Sequence, residues 1–337
     1  MPQPSIERVR LGHGGGGTLM RDLIDQHFRQ VYGDPHRVLH DATVLPGPLG
    51  RLAFTVDSTV VQPLEFPGGD MGRLAVIGTA NDLAMAGARP LHLSLAVILE
   101  EGLPLDQLQR IIASIIQASL DCGVTIETGD TKVVERGKGD GLFLSTSGLG
   151  VIESPAPIHP SRIAAGDQIV VSGDLGRHGL AVLARRHGLE LEPPVLSDCE
   201  PLWPQVQALL AEQVPLHCLR DLTRGGLAMV LQELADAGGW SLRIEEEAIP
   251  ISEAVACSCR ILGLDPLHLA NEGRFVAVLP ATALHAALAV MAPRGGRWIG
   301  SVEGAAPAGF GEVIVRTSLG TERRQHPPSG ELLPRIC

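Results

Sequence analysis

Five aspartates lie in short segments rich in glycine or threonine, where carboxylates could bind a cation. They are Asp41 in HDAT, Asp57 in TVDST, Asp82 in TAND, Asp130 in TGDTK and Asp221 in RDLTRGG. Each is expected at or beside the end of a strand or the start of a helix. If those ends converge, the carboxylates form an oxygen-rich pocket suited to Mg²⁺ and to the phosphates that accompany it. Any one of them alone is more simply a turn or helix-capping residue.

Two glycine segments would let the backbone approach a phosphate closely. Residues 14–17 read GGGG, without the GK[ST] of a Walker A loop, and a linker explains them equally well. Gly225 and Gly226 follow Thr223 and Arg224 and open a predicted helix, whose N-terminus attracts anions. The alternative for this pair is a tight contact between a helix and a strand.

Three single residues carry further chemistry. Lys132 follows Asp130 closely, and a lysine beside carboxylates can neutralise a phosphate or transfer a proton. Glu272 precedes a predicted strand in ANEGRF, where a lone glutamate is more often a solvated turn residue. Cys337 is the last residue of the sequence, and a thiol on a movable tail can carry a covalent group. An incidental exposed cysteine would be the plainer interpretation on a random tail, but the neighbouring residues Pro334, Arg335 and Ile336 argue against it.

The elements that must position these residues alternate between strands and helices. Strands are predicted at 51–61, 91–99, 124–127, 142–152, 168–172, 275–279 and 312–316, and helices at 71–88, 104–122, 179–186 and 224–237. The segment SPAPIHPS at 154–161 has three prolines and is predicted as a linker. We expect an α+β (mixed α/β) fold with a first domain at 1–153, a second at 162–318 and a flexible tail at 319–337.

Composition excludes several classes of protein. The formal charge is −11 without a basic run, which argues against nucleic-acid binding. No apolar run approaches the ~18 residues of a membrane span, and the first residues lack the apolar stretch of a signal peptide. The six cysteines include no CxxC pair, which argues against a disulfide framework or a zinc site. A cytoplasmic protein is expected.

Motifs along nearly the whole chain resemble the HypE family of hydrogenase maturation factors. They include LGHGGGG, FPGGDMGRLAVIGTANDLAMAGA, TGDTKVV, VSGDLGRHG, RDLTRGGL, LGLDPLHLANEG and the terminal LPRIC. That family belongs to an ATP-binding superfamily with aminoimidazole ribonucleotide (AIR) synthetase, selenophosphate synthetase and thiamine-monophosphate kinase. One departure is Gly15, where the family usually has serine. The resemblance implies a two-domain AIR synthetase-like fold whose N-terminal sheet pairs across a homodimer.

The resemblance also implies a role for each matching residue. Magnesium and its phosphates are expected at Asp41, Asp57, Asp82 and Asp221. The remaining ATP contacts are expected at His13, Gly14, Gly16, Gly17, Asp130, Thr131, Thr223, Arg224, Gly225 and Gly226. Lys132 and Glu272 are expected to act beside the group carried on Cys337.

The implied reaction is an ATP-dependent dehydration. HypF is expected to place a carbamoyl group on the Cys337 sulfur, which the enzyme converts to a thiocyanate. The cyanide is expected to pass to iron on a HypC–HypD complex during maturation of a [NiFe]-hydrogenase. The alternatives are a small-molecule kinase or synthetase of the same superfamily, and a binding protein that uses its tail only for docking.

Overall fold

A computed structural model describes residues 7–14, 18–32, 45, 47, 50–307 and 309–325. Within these residues the α-helices are α1 Thr18–Leu23, α2 Met71–Met85, α3 Leu105–Cys122, α4 Arg177–His187, α5 Trp203–Ala211, α6 Gly226–Gly238, α7 Glu253–Leu262 and α8 Leu284–Met291. The strands are β1 Leu52–Thr59, β2 Glu65–Phe66, β3 Gly69–Asp70, β4 Ala88–Glu100, β5 Thr125–Val134, β6 Leu142–Ile152, β7 Gln168–Val171, β8 Cys218–Asp221, β9 Trp240–Glu245, β10 Phe275–Leu279, β11 Arg297–Ala305, β12 Glu312–Arg316 and β13 Glu322–Gln325. No helix in the described ranges is long and apolar enough to cross a membrane.

The first half of the chain folds around a four-stranded sheet in the order β1-β6-β4-β5. The β4–β5 pair is parallel and the other two pairs are antiparallel. In β4, Leu93, Leu95, Val97 and Leu99 point to one face and are almost fully buried beneath α2 and α3. No helix or second sheet of the described residues covers the opposite face, where Phe54 and Val56 are exposed.

Helix α3 has the buried stripe that the periodicity of its sequence predicts. Leu108, Ile111, Ile112 and Ile115 form its buried stripe, as the i, i+3, i+4 spacing predicts. Pro104 precedes the helix, and Gly123 ends it in the left-handed conformation with φ 66°. The sequence prediction for this helix is therefore confirmed at both ends.

Helix α2 is buried almost all round, which hides any helical period in its sequence. Its only residues that are not buried are Arg73 and Asp82. The first turns pack in the core of the first sheet, whereas Ala84 and Met85 join the core of the second half of the chain. A single helix thus contributes to two hydrophobic cores.

The second half of the chain folds around a seven-stranded sheet in the order β13-β12-β9-β11-β7-β10-β8. All its pairs are antiparallel except β12–β9, which is parallel. The strands predicted at 275–279 and 312–316 are confirmed as β10 and β12. Edge strand β8 contacts α2 and so joins this sheet to the first half.

Two expectations from the sequence are corrected by the structure. Strand β5 does not end before GDTK but continues to Val134, so Asp130 lies within a strand. The predicted tail starts too early, because Glu322–Gln325 pair with β12 as the edge strand β13. The rest of that tail, 326–337, lies outside the described residues.

The contact between α2 and α3 leaves no room for a side chain at Gly72. A Cβ atom there would lie 2.6 Å from the backbone oxygen of Ile111 and 2.8 Å from Cγ1 of Ile115. We expect Gly72→Ala to lower the free energy of unfolding by about 1–3 kcal/mol, because the backbone atom cannot move aside. Urea unfolding measures this change.

The matched control is Gly139→Ala, where the nearest atom would be Phe143 Cε2 at 3.4 Å, an ordinary contact. That variant should stay within about 0.5 kcal/mol of the parent chain. Equal effects of the two substitutions would contradict the close approach of α2 and α3.

Candidate active site between the two sheets

Where the two halves of the chain meet, a cavity of about 90 Å³ is lined by acidic side chains. Its carboxylates come from both halves: Asp57 and Asp82 from the first, Asp221 and Glu272 from the second. Thr223 and Arg224 complete the polar wall. Three of the five predicted aspartates and the predicted glutamate are therefore brought together.

Asp57 and Asp82 approach each other because a strand and a helix meet at a glycine. A Cβ at Gly78 of α2 would lie 3.3 Å from Asp57 Oδ2. Asp82 follows one turn later on α2 and accepts a hydrogen bond of 2.9 Å from Thr55 Oγ1. Since Thr55 and Asp57 are two apart on β1, they point to the same face of the sheet.

These positions correct the expectation that every aspartate lies at the end of an element. Asp57 lies inside β1, and Asp82 lies well inside α2. A carboxylate is tolerated there because β1 is an edge strand and Asp82 faces the cavity. Only Asp221, the last residue of β8, matches the expectation within this group.

Hydrogen bonds to its main chain hold Glu272 in the cavity. Its N–H donates to Asp198 Oδ1 at 3.3 Å, and its carbonyl accepts from Asn81 Nδ2 at 3.1 Å. The fully buried His178 places Nε2 4.0 Å from Glu272 Oε1, and its Nδ1 lies 2.9 Å from Ser197 Oγ. Glu272 itself is only 4% exposed, so it is not a solvated turn residue.

Burial and mutual repulsion raise the pKa values of three of these acids, Asp82, Asp221 and Glu272. Burial, then the neighbouring Asp221, raises the pKa of Asp82 to about 7. Burial also raises the pKa of Asp221, with Asp57 adding to the effect and Arg220 opposing it. For Glu272, burial and then Asp221, Asp198, Asp57 and Asp82 raise the pKa well above its ordinary value.

A cation would reduce the repulsion among these carboxylates, but the carboxylates do not form a complete metal site by themselves. Among the described residues, no three His, Cys, Asp or Glu side chains stand close enough together to hold a metal ion. Mg²⁺ commonly uses one or two carboxylates together with phosphate oxygens and water. The donor set fits a cation that arrives with a phosphate.

The turn after β8 leads from the cavity into α6. Gly225 and Gly226 have φ values of 72° and 61°, which favour glycine. A Cβ at Gly226 would lie 2.5 Å from the carbonyl oxygen of Leu269 and 2.6 Å from that of Leu267. Gly226 is thus in a tight contact, but with the 3-10 turn Pro266–His268 and Leu269 rather than with a strand. Thr223 and Arg224 face the cavity.

A second group of predicted site residues lies at the other edge of the first sheet. Lys132 Nζ is 3.1 Å from Asp130 Oδ1, and both side chains are exposed on β5. Thr131, between them, is buried on the helix side. Gly14 packs on β5, since a Cβ there would lie 2.9 Å from Val133 Cβ, and His13 lies in the same turn, Leu11–Gly14.

The strand register shows how far apart the two groups are. Asp57 pairs with Thr146, Thr146 with Leu95, and Leu95 with Gly129, so this row crosses the whole sheet. Three strand spacings amount to about 14 Å. Asp130, the next residue, points to the face opposite that of Asp57. The structure therefore does not unite Asp130 and Lys132 with the acidic cavity of the same chain.

Four predicted site residues, Gly16, Gly17, Asp41 and Cys337, lie outside the described residues. Conversely, the sequence analysis missed Asn81, Asp198 and His178, which surround Glu272. Asn81 and Asp82 are adjacent polar residues in a helix whose other polar residues are Arg73 and Thr79, a signal that could have drawn attention to Asn81. Asp198 and His178 had no comparable signal.

Comparisons with known proteins identify the family. The sequence matches the AIR synthase related protein family in its N-terminal domain at 39–152 and in its C-terminal domain at 164–308. The carbamoyl dehydratase HypE of Rhodobacter capsulatus is 48% identical, over 98% of this chain and 98% of the relative.

Solved structures agree with the sequence comparison. Hydrogenase maturation protein HypE in complex with ATP superposes with a TM-score of 0.93 at 43% identity, covering 97% of this chain and 99% of that one. A HypE–HypF complex gives 0.79 at 39% identity, covering 93% and 100%. The predicted mixed α/β, AIR synthetase-like fold is confirmed, and the chain belongs to the HypE family of hydrogenase maturation proteins.

Proposed function

We propose that this chain uses ATP to dehydrate a carbamoyl group on the sulfur of Cys337, leaving a thiocyanate that supplies cyanide for [NiFe]-hydrogenase maturation. Its similarity to carbamoyl dehydratases over nearly the whole chain supports the reaction, and the solved HypE–ATP complex supports the nucleotide. The observation that carries the proposal is the cavity in which Asp57, Asp82 and Asp221 meet a buried Glu272.

The reaction must make a poor leaving group depart. The carbamoyl oxygen accepts a phosphoryl group from ATP, which turns that oxygen into part of a phosphate. The carbon–oxygen bond then breaks with its electron pair leaving on the phosphate. The nitrogen loses both protons and forms a triple bond to carbon. The products are a thiocyanate, ADP and inorganic phosphate.

Asp57, Asp82 and Asp221 are the residues that we assign to magnesium, with Asp41 joining them by its motif. Magnesium supplies charge neutralisation on the phosphates that these acids alone would repel. The raised pKa values of Asp82 and Asp221 support the assignment, because they indicate that negative charge in the cavity is under-compensated.

Glu272 is the group that we assign to proton removal from the carbamoyl nitrogen. The same aspartates that would hold the cation raise the pKa of Glu272. Neutralising them therefore lowers that pKa, and the base becomes competent only when magnesium and nucleotide are in place. Protons would then not be removed before the phosphoryl donor has arrived.

The two separated groups of site residues can be united by a second copy of the chain. The open face of the first sheet exposes Leu52, Phe54 and Val56 by 49%, 73% and 63%, an apolar stripe suited to sheet-on-sheet packing. In a homodimer whose two-fold axis runs along the strands, β5 of one copy lies over β1 of the other. The partner's Lys132 and Asp130 would then lie across the edge strand β1 from each acidic cavity, so that a nucleotide reaching around this edge would contact both groups.

In that dimer the remaining nucleotide contacts also come from the β5 edge. We assign them to His13, Gly14, Asp130 and Thr131, with Gly16 and Gly17 continuing the loop. Lys132 supplies positive charge to the phosphates. Thr223, Arg224, Gly225 and Gly226 contribute from the acidic side.

We infer partners and compartment from the same reaction. The solved HypE–HypF complex supports HypF as the carbamoyl donor, and a HypC–HypD complex is our proposed acceptor of cyanide. The five cysteines in the described part of the chain are all free thiols, which supports a reducing cytoplasm.

The first test concerns Cys337. With HypF, carbamoyl phosphate and ATP, the parent chain should gain a carbamoyl group and then lose the mass of one water, mapped to Cys337 by intact-protein mass spectrometry. Cys337→Ser should show neither change yet bind Mg·ATP normally by calorimetry, because its cavity is intact. If Cys337→Ser still drives turnover of a free substrate, a small-molecule kinase or synthetase is the correct interpretation.

The second test concerns the charge of Asp82 without metal. The folded-state pKa, about 7, exceeds the ordinary 3.8, so the folded protein keeps a proton that the unfolded chain releases between those values. The contribution of Asp82 to the free energy of unfolding is therefore highest at low pH, where Asp82 is protonated, and it falls as pH rises to about 7, where the folded-state carboxyl loses its proton. In EDTA, Asp82→Asn should raise the free energy of unfolding at pH 8 by at most about 4 kcal/mol.

At pH 5 the difference between Asp82→Asn and the parent chain should be much smaller, since the parent is then largely protonated. Added Mg·ATP should stabilise the parent chain more than the variant at pH 8. Urea unfolding at pH 5 and pH 8 in EDTA, and at pH 8 with Mg·ATP, measures these differences. Equal destabilisation of the variant at both pH values would contradict the raised pKa of Asp82.

The third test asks whether each site is shared between two chains. Lys132→Ala and Glu272→Gln should each retain only a small residual rate as homodimers. Co-expressed in equal amounts, they should recover about a quarter of the parent activity, because half of the dimers are mixed and each mixed dimer has one intact site.

The matched control pairs Asp57→Asn with Glu272→Gln, both in the acidic cavity of one chain. Neither site of that mixed dimer is intact, so no recovery is expected. Absence of recovery in the Lys132 mixture as well would refute the shared site.

A further inference from the structure

The side chain of Asn81 uses its whole amide group to hold the second half of the chain. Nδ2 donates to the carbonyls of Glu200 at 3.2 Å and Glu272 at 3.1 Å, and Oδ1 accepts from the N–H of Leu202 at 2.8 Å. The residue is only 3% exposed. Two acceptors and one donor fix the orientation of the amide, and a carboxylate of the same shape could not satisfy them.

Asn81 is also adjacent to Asp82 on α2. The two side chains diverge because consecutive helical residues are about 100° apart. Asp82 lines the acidic cavity, whereas Asn81 contacts the segment that carries Glu272. Helix α2 is buried almost all round and is therefore rigid. At neighbouring positions it carries Asp82, a proposed magnesium ligand, and Asn81, which bonds the main chain of the proposed base Glu272.

Among the described residues, the other hydrogen bonds to the Glu272 segment come from the second half of the chain. Asp198 accepts from the N–H groups of Glu272 and Gly273 at 3.3 and 3.4 Å. Arg274 bonds Asp174 at 2.9 Å. Those contacts fix the segment within its own domain. Asn81 differs because its bond to the Glu272 carbonyl crosses between the domains.

We propose that Asn81 is a positioning residue for Glu272. Its hydrogen bond keeps Glu272 at a fixed position relative to the aspartates of the first half of the chain. This inference rests on the proposed function of Glu272. General-base catalysis is sensitive to placement, and a displacement of about 1 Å can reduce a rate about 10²-fold. The bond from Asn81 prevents that displacement when the two domains shift against each other.

The test measures thiocyanate formation by Asn81→Ala in the full chain with HypF, carbamoyl phosphate and ATP. We expect kcat to fall about 10²-fold. The Kd for Mg·ATP should stay within about two-fold, because Asp57, Asp82 and Asp221 are unchanged. Asn81→Ser retains one hydroxyl and should be intermediate, and it serves as the test variant if Asn81→Ala does not fold.

Arg186→Ala is the matched control for a simple loss of contact between the domains. Arg186 Nε donates to the carbonyl of Gln62 at 2.7 Å, which also joins the two halves but does not involve Glu272. Its kcat should stay within about two-fold of the parent. Equal losses of kcat in Asn81→Ala and Arg186→Ala would overturn the proposal, as would an unchanged kcat in a folded Asn81→Ala.

A double-mutant cycle separates positioning from general weakening of the fold. If Asn81 acts through Glu272, Asn81→Ala should reduce the residual rate of Glu272→Gln no further. A full additional loss in that background would overturn the proposal. If the parent chain forms no thiocyanate at all, the proposed function fails; if only Asn81→Ala behaves like the parent, this inference alone fails.

Discussion

Repulsion among half-buried and buried carboxylates is the constraint on which the rest of this molecule depends. Asp57, Asp82, Asp221 and Glu272 share one small cavity, and the raised pKa values of Asp82, Asp221 and Glu272 record the cost of gathering them. Such a cluster needs a well-packed frame, because the acids would otherwise separate. The two apolar cores that meet at α2 provide that frame. In the proposed function, the uncompensated negative charge of this cluster would favour binding of a cation together with its nucleotide.

The cavity also couples two chemical roles that are usually considered separately. Burial and then the charges of the aspartates raise the pKa of Glu272, so neutralising the aspartates would lower it. In the proposed reaction, electrostatics would therefore set the order of events. The buried His178 and Asp198 belong to the same environment, and they explain why Glu272 remains inside the protein when no cation is bound.

Local features of this fold could be predicted from the sequence, whereas sheet order could not. The stripe of α3 and the strands β10 and β12 follow from short-range periodicity, and the motifs around Asp57, Asp82 and Asp221 marked the acidic group. The separation of Lys132 from these acids depends on β5 and β1 lying at opposite edges of a sheet, which is a property of long-range pairing. The role of Asn81 could not be predicted because its hydrogen-bond partners, Glu200, Leu202 and Glu272, are far away in the sequence.

Residues of helix α2 pack in both hydrophobic cores, and this affects how the chain unfolds. Neither half can unfold alone without exposing one side of a helix whose residues are nearly all buried. The halves are thus expected to melt in a single cooperative transition rather than in two steps. Amide protons along α2 would then exchange only through global opening, which makes this helix the slowest-exchanging part of the molecule.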